Sequence, residues 1–172
     1  MNGQQCEMTF TTCDGVKASR LSISAPASSP NTDGIHISES TDVEVKEATV
    51  RTSDDCISIV SNSSKVTVTR IACGPGHGIS IESLGKAGTC DQVYDVSVHE
   101  AFLSNTENGL SIKIWQEPGR MMRDVHRGCV WKRRHHLSLE GQTELVIREY
   151  SRSMQQLAFG NKHHFSELNT IQ

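Results

Sequence analysis

Four short segments of the chain carry one pattern: Asp33-Gly34-Ile35-His36-Ile37, Asp55-Cys56-Ile57-Ser58-Ile59, His77-Gly78-Ile79-Ser80-Ile81 and Asn108-Gly109-Leu110-Ser111-Ile112. The first three begin 22 residues apart and the fourth follows after 31, a difference that one loop insertion around Gly85–Asp91 accounts for. A polar residue opens each unit, a small one usually follows, and two aliphatics alternate behind it. Recurrence at this period marks a solenoid in which each repeat is one coil. Alternation at period two makes the units strands rather than helices. Coils stacked as parallel strands lie about 4.8 Å apart. That stacking carries Asp33, Asp55 and His77 into one column.

A second alternating segment follows each opening strand: Val43–Lys46, Val66–Thr69 and Tyr94–Val98, with an earlier counterpart at Ala18–Ile23. Turn-formers separate the strands at Glu39–Asp42, at Ser61–Ser64 and in the Gly-Pro-Gly of Gly74–Gly76. The pattern predicts an all-β chain, a right-handed parallel β-helix, present in part, with inward Val, Ile and Leu stacked coil on coil. An ordinary β-sandwich is the alternative, but it does not explain constant register. Residues 1–116 form the solenoid in this reading. Residues 117–172 form a divergent tail, irregular or partly helical, in which Glu144–Phe159 is loosely amphipathic.

Charge divides at the same point. Residues 1–116 hold eight Lys/Arg against fourteen Asp/Glu, and residues 117–172 hold nine against six. The acidic body is no nucleic-acid binder, and the run Lys132-Arg133-Arg134 reads as a solvated cluster. An acidic body that takes an acidic substrate needs local cations. No segment is apolar for long enough to span a membrane, and Met1–Cys6 has neither the basic start nor the apolar run of a signal peptide. Cys56 and Cys73 lie on consecutive coils and form either a disulfide or two buried thiols; a bridge implies an oxidising compartment. Cys6 and Cys13 are a second candidate pair, and Cys90 and Cys129 have no evident partner. No Cys-x-x-Cys pair or Cys/His quartet exists, so no metal site is expected. Asn62-Ser63-Ser64 is an acceptor for N-glycosylation in a secreted chain.

Asp33, Asp54 and Asp55 place three carboxylates within one coil step. Like charges at this density raise at least one pKa. A carboxyl held protonated beside one held ionised is the pair that glycosidic cleavage requires. His77 stacks on the next coil and Lys113 extends the same sheet one coil further. Solvated turn carboxylates, a calcium site and a structural histidine are the plainer readings of the same residues.

Taken in order, Asn31-Thr32-Asp33-Gly34, Asp54-Asp55-Cys56, Gly76-His77-Gly78-Ile79-Ser80-Ile81 and Ile112-Lys113 resemble the four signature blocks of the polygalacturonases, glycoside hydrolase family 28. The wording of Ala25–Ile37 looks plant-like, and the resemblance covers roughly residues 5–116. It implies hydrolysis of α-1,4-galacturonan in pectin, inverting at the anomeric carbon, by an extracellular cell-wall monomer without cofactor. By the same resemblance Asp54 is the general acid, and Asp33 and Asp55 hold and deprotonate the attacking water. His77 tunes the acid. Lys113, with Asn31 and Ser111, contacts substrate, and Cys56–Cys73 matches a family disulfide. The chain departs from the pattern at Ser111, where the family carries arginine, at Glu82, where it carries glycine, and at Ser53 and Ile114. Earlier coils and a secretion signal precede the first block in the family, and after Trp115-Gln116 the repeat ends as if the reading frame had shifted. These departures imply impaired hydrolysis. The competing readings are an inactive remnant, a non-catalytic pectin-binding solenoid, and a calcium-dependent lyase.

Overall fold

The computed structural model describes residues 6–86, 91–115, 136–137, 145–150 and 154–159. Its strands are β1 (Cys6–Thr11), β2 (Asp14–Ser19), β3 (Ser22–Ser24), β4 (Asp33–Ser38), β5 (Thr41–Arg51), β6 (Asp55–Ile59) and β7 (Ser63–Cys73). They continue as β8 (Gly78–Leu84), β9 (Val93–Leu103), β10 (Leu110–Trp115), β11 (His136–Leu137), β12 (Leu145–Tyr150) and β13 (Met154–Phe159). From β1 to β11 successive strands do not pair. One sheet runs β1-β4-β6-β8-β10 and another β11-β9-β7-β5-β2, all parallel, with β3 beside β5. The chain therefore alternates between two sheets and climbs one strand at each return, which is a parallel β-helix.

Register follows the repeats. Ile35, Ile57, Ile79 and Leu110 stand in one column, and Ile37, Ile59, Ile81 and Ile112 in the next. All eight are 5% exposed or less. Facing them, Val43, Val66 and Val96 align, as do Val45, Val68 and Val98. Each such side chain stabilises the fold by roughly 1.5–3 kcal/mol relative to exposure. These stacked columns are the core.

The coil turns corners at residues with left-handed backbone. Glu47, Arg70 and Glu100 have φ of 55°, 54° and 53° and fall at equivalent points of β5, β7 and β9. Their side chains form an exposed ladder, Arg70 donating to Glu47 at 2.6 Å and standing 3.9 Å from Glu100. Asp42, Lys65 and Asp95 mark a second such corner.

Two expectations are corrected. Within Glu144–Phe159, residues 145–150 and 154–159 are strands rather than helix: β12 and β13 pair antiparallel, and β13 pairs antiparallel with β10 over Leu110–Trp115. The open edge of β10 offers backbone partners that a marginal helical stripe does not. Cys6 and Cys13 are free thiols rather than a pair; Cys6 lies in β1 beside Asp33, and Cys13 follows the turn after that strand. Asn62 of the sequon is exposed in a turn. No helix among the described residues is long and apolar enough to cross a membrane. Cys90, Cys129 and Lys132–Arg134 lie outside the described residues.

Candidate active site

Strict alternation would aim Asp55 inward with Ile57 and Ile59. The ladder prevents this. Asp55 pairs with Gly78 and Ile57 with Ile79, so β6 carries one extra residue there. Such a bulge re-aims a side chain. Cys56 and Ile57 both point into the core, each 0% exposed, and Asp55 faces the outer row formed by His36, Ser58, Ser80 and Ser111. Cys56 is bonded to Cys73 at the end of β7, with Cα atoms 5.9 Å apart. That bond ties the bulge to the strand that leads into the His77 turn.

Close backbone approach brings that turn to Asp54. Gly76 has φ of 147°, and a Cβ there would lie 2.5 Å from the Asp54 carbonyl oxygen. With glycine in place, the backbone N–H of His77 donates to that oxygen at 2.8 Å. The His77 side chain then meets Asp54 Oδ1 through Nδ1 at 2.8 Å, and Nε2 lies 3.3 Å from Glu107. The same Asp54 oxygen accepts the Asp55 backbone N–H at 2.9 Å. The hydrogen bond from His77 holds the Asp54 carboxyl below its ordinary range, and that bond in turn raises His77.

Asp55 is 1% exposed. Its Oδ2 accepts from Ser80 Oγ at 2.5 Å and from Lys113 Nζ at 2.6 Å. Its Oδ1 is buried without a hydrogen-bond partner among the described residues, as is Ser111 Oγ. Burial pushes the Asp55 carboxyl up despite the lysine. Lys113 Nζ also lies 3.3 Å from Glu82. Burial and the Asp55 charge push Glu82 up to about 7. Burial alone would lower Lys113, but the Asp55 and Glu82 charges outweigh it and hold the ammonium well above its ordinary value.

One coil away, Asp33 Oδ2 accepts from Ser58 Oγ at 2.7 Å, and His36 Nδ1 lies 2.8 Å from the same hydroxyl. Asp33, Asp54, His36, Asn31, Glu82 and Cys6 share the walls of an open groove of about 570 Å³. Asn31 has φ of 45° in the turn that enters β4. Ser53, beside Asp54, donates to the Ser29 carbonyl across the coil.

Every catalytic and substrate-binding candidate thus lies on the outer face of one sheet or in the turns before its strands, while Cys56 and Cys73 lie in the core. Glu107 was not among the candidates, although it precedes the fourth repeat and the register sets that repeat against His77. Donor atoms converge within 4.8 Å in two groups, Asp54-Asp55-His77 and Cys6-Asp33-His36. Asp33 falls in a different group from Asp54 and Asp55, and each group includes an imidazole. The oxygen shell that calcium takes is not what this donor set offers.

The arrangement supplies a carboxyl paired with a protonatable imidazole, a buried carboxylate with one open oxygen, and a third carboxylate along the groove. Such groups can exchange protons with a bound hydroxyl or water. A probable polygalacturonase of Arabidopsis thaliana is 51% identical over 116 residues, 67% of this chain and 26% of that protein. A polygalacturonase of Malus domestica is 50% identical over 115 residues, 67% and 25%. Polygalacturonase-2 of Solanum lycopersicum is also 50% identical over 115 residues, with the same coverage. The chain spans about a quarter of the length of these relatives. The family model for glycosyl hydrolases family 28 matches residues 1–127, and the chain belongs to that family.

Proposed function

We propose that this chain carries the acid/base site of a pectin hydrolase that cleaves α-1,4-galacturonosidic bonds in the plant cell wall. The observation that carries the reading is the convergence of Asp54, Asp55 and His77 within 4.8 Å, beside a groove that Asp33 also lines. The three relatives named above are all polygalacturonases by name, which supports the substrate class.

Water attacks the anomeric carbon as the bond to the leaving oxygen breaks. Asp55 Oδ1, the buried acceptor without a partner, takes the proton of that water, with Asp33 as the second carboxylate that orients it. A raised pKa makes Asp55 the stronger base once it is ionised. The leaving oxygen receives its proton from Asp54. In the free site that proton rests on His77, because Asp54 is the depressed member of the pair. An anionic or desolvating substrate raises Asp54 and draws the proton across the 2.8 Å contact. Asn31 on the groove wall contacts the substrate, and Lys113 and Ser111 on β10 stand behind that wall.

A non-catalytic pectin-binding solenoid is the second reading. It is favoured by Asp55, whose unpartnered oxygen is buried and which does not line the groove. Release of reducing ends from polygalacturonate separates the two. Wild-type chain is expected to release them, and Asp54→Asn to lose about 10²–10⁴-fold in rate. Equal rates from two folded proteins would exclude the hydrolase reading.

A further inference from the structure

We infer that the groove beside Asp54 takes a uronate whose carboxyl group is uncharged, as in methyl-esterified galacturonan, and that Glu82 sets this preference. The inference rests on the hydrolase reading and narrows its substrate.

The groove is walled by three carboxylates, Asp33, Asp54 and Glu82, and among the described residues no Lys or Arg lines it. The nearby cation is set back from it. The pairing of Ser80 with Ser111 and of Ile81 with Ile112 puts Glu82 beside Lys113 on the next coil. Lys113 is 11% exposed and stands between Asp55 at 2.6 Å and Glu82 at 3.3 Å. Ser111, 3% exposed, offers the groove no second donor. An entering carboxylate must therefore displace Glu82 from the lysine or remain among like charges without a cation. A methyl ester does neither, so Glu82 acts as an element that rejects the charged competitor. The groups facing Glu82 are Asp33 on β4, Asp55 on β6 and Lys113 on β10. Burial, and then the Asp55 charge, bring Glu82 to about 7. Its charge, and with it the preference, is fullest above pH 7 and fades as pH falls and the carboxyl takes up a proton.

The test is calorimetric binding of trigalacturonate and of its methyl-esterified form to Asp54→Asn, in which turnover is slowed, and to the same protein carrying Glu82→Gln. At pH 7.5 the ester is expected to bind about tenfold more tightly than the acid, a difference of about 1.4 kcal/mol. Glu82→Gln is expected to remove most of that ratio by strengthening the acid, and lowering the pH to 5 to shrink it without any substitution. Glutamine keeps the size of the side chain, and circular dichroism checks the fold. An acid that binds as tightly as the ester, or a ratio indifferent to Glu82→Gln, overturns the inference. If the wild type still releases reducing ends from polygalacturonate, the hydrolase reading survives that result. Absence of binding by either ligand together with absence of hydrolysis overturns both.

Discussion

His77 stands between two carboxylates, with Asp54 at 2.8 Å from Nδ1 and Glu107 at 3.3 Å from Nε2. Asp54 is lowered, so its stabilising contact is complete above its ordinary value of 3.8 and is lost as pH falls through the lowered value. His77 is raised, so its contribution is complete below its ordinary value of 6.5 and is lost as pH rises through the raised value. Both contributions are complete between about pH 3.8 and 6.5. His77→Gln is expected to lower the melting temperature most near pH 5 and little near pH 9. In the proposed mechanism the same substitution removes the proton store of Asp54. It should cost about 10²-fold in kcat/KM and move the basic limb of the pH profile down toward the carboxylate range. An unmoved basic limb would mean that the acid draws its proton from elsewhere. Part of this site is legible in the repeats, since constant spacing brings His77 to the coil beside Asp54 and Asp55, while Asp33 falls with Cys6 and His36 in a separate group. The direction of Asp55 is not, because an extra residue in β6 reverses the face that alternation assigns. The Glu82 and Lys113 contact becomes readable once Ser80 is paired with Ser111, but 31 residues of sequence separate the partners.

At the scale of the elements, glycines in the turns decide how closely one coil sits on the next. Gly78 opens β8 with φ of 101°, and a Cβ there would fall 2.4 Å from the carbonyl oxygens of both Asn108 and Gly109. Neither acceptor is a flexible side-chain end, so the backbone of the next coil must move. Gly78→Ala is therefore expected to cost at least about 2–3 kcal/mol, by strain at positive φ and by overpacking. Denaturant unfolding measures this. Reducing-end release should fall with it, because the displaced coil carries Glu107 toward or away from His77. A change below about 0.5 kcal/mol would mean that the two coils are not held at this distance. The strands themselves were legible from β-branched alternation, and their left-handed corners were not. Glu47, Arg70 and Glu100 have no sequence type that favours positive φ. The stacking of equivalent corners imposes that conformation on all three.

The whole molecule must end a stack that could otherwise continue. From β1 to β10 every strand of the first sheet is parallel to its neighbour, so each edge can receive another parallel coil. β13 breaks the series by running antiparallel along the full length of β10, from Leu110 opposite Phe159 to Trp115 opposite Met154. β12 covers β13 in turn. A hairpin laid across the last rung pairs the backbone groups of β10 and moves the edge of the sheet out to β12 among the described residues. This could not be read from the tail alone, because its partner is a strand more than 40 residues earlier and its own apolar spacing suits a helix as well as a strand. Deletion of residues 138–172 leaves β10 as an exposed edge with unpaired N–H and C=O groups. The deleted protein is expected to self-associate, with a mass by light scattering that rises with concentration, while the full chain runs as a monomer. A truncated chain that stays monomeric, with unchanged unfolding, would mean that the β10 edge is protected without the hairpin.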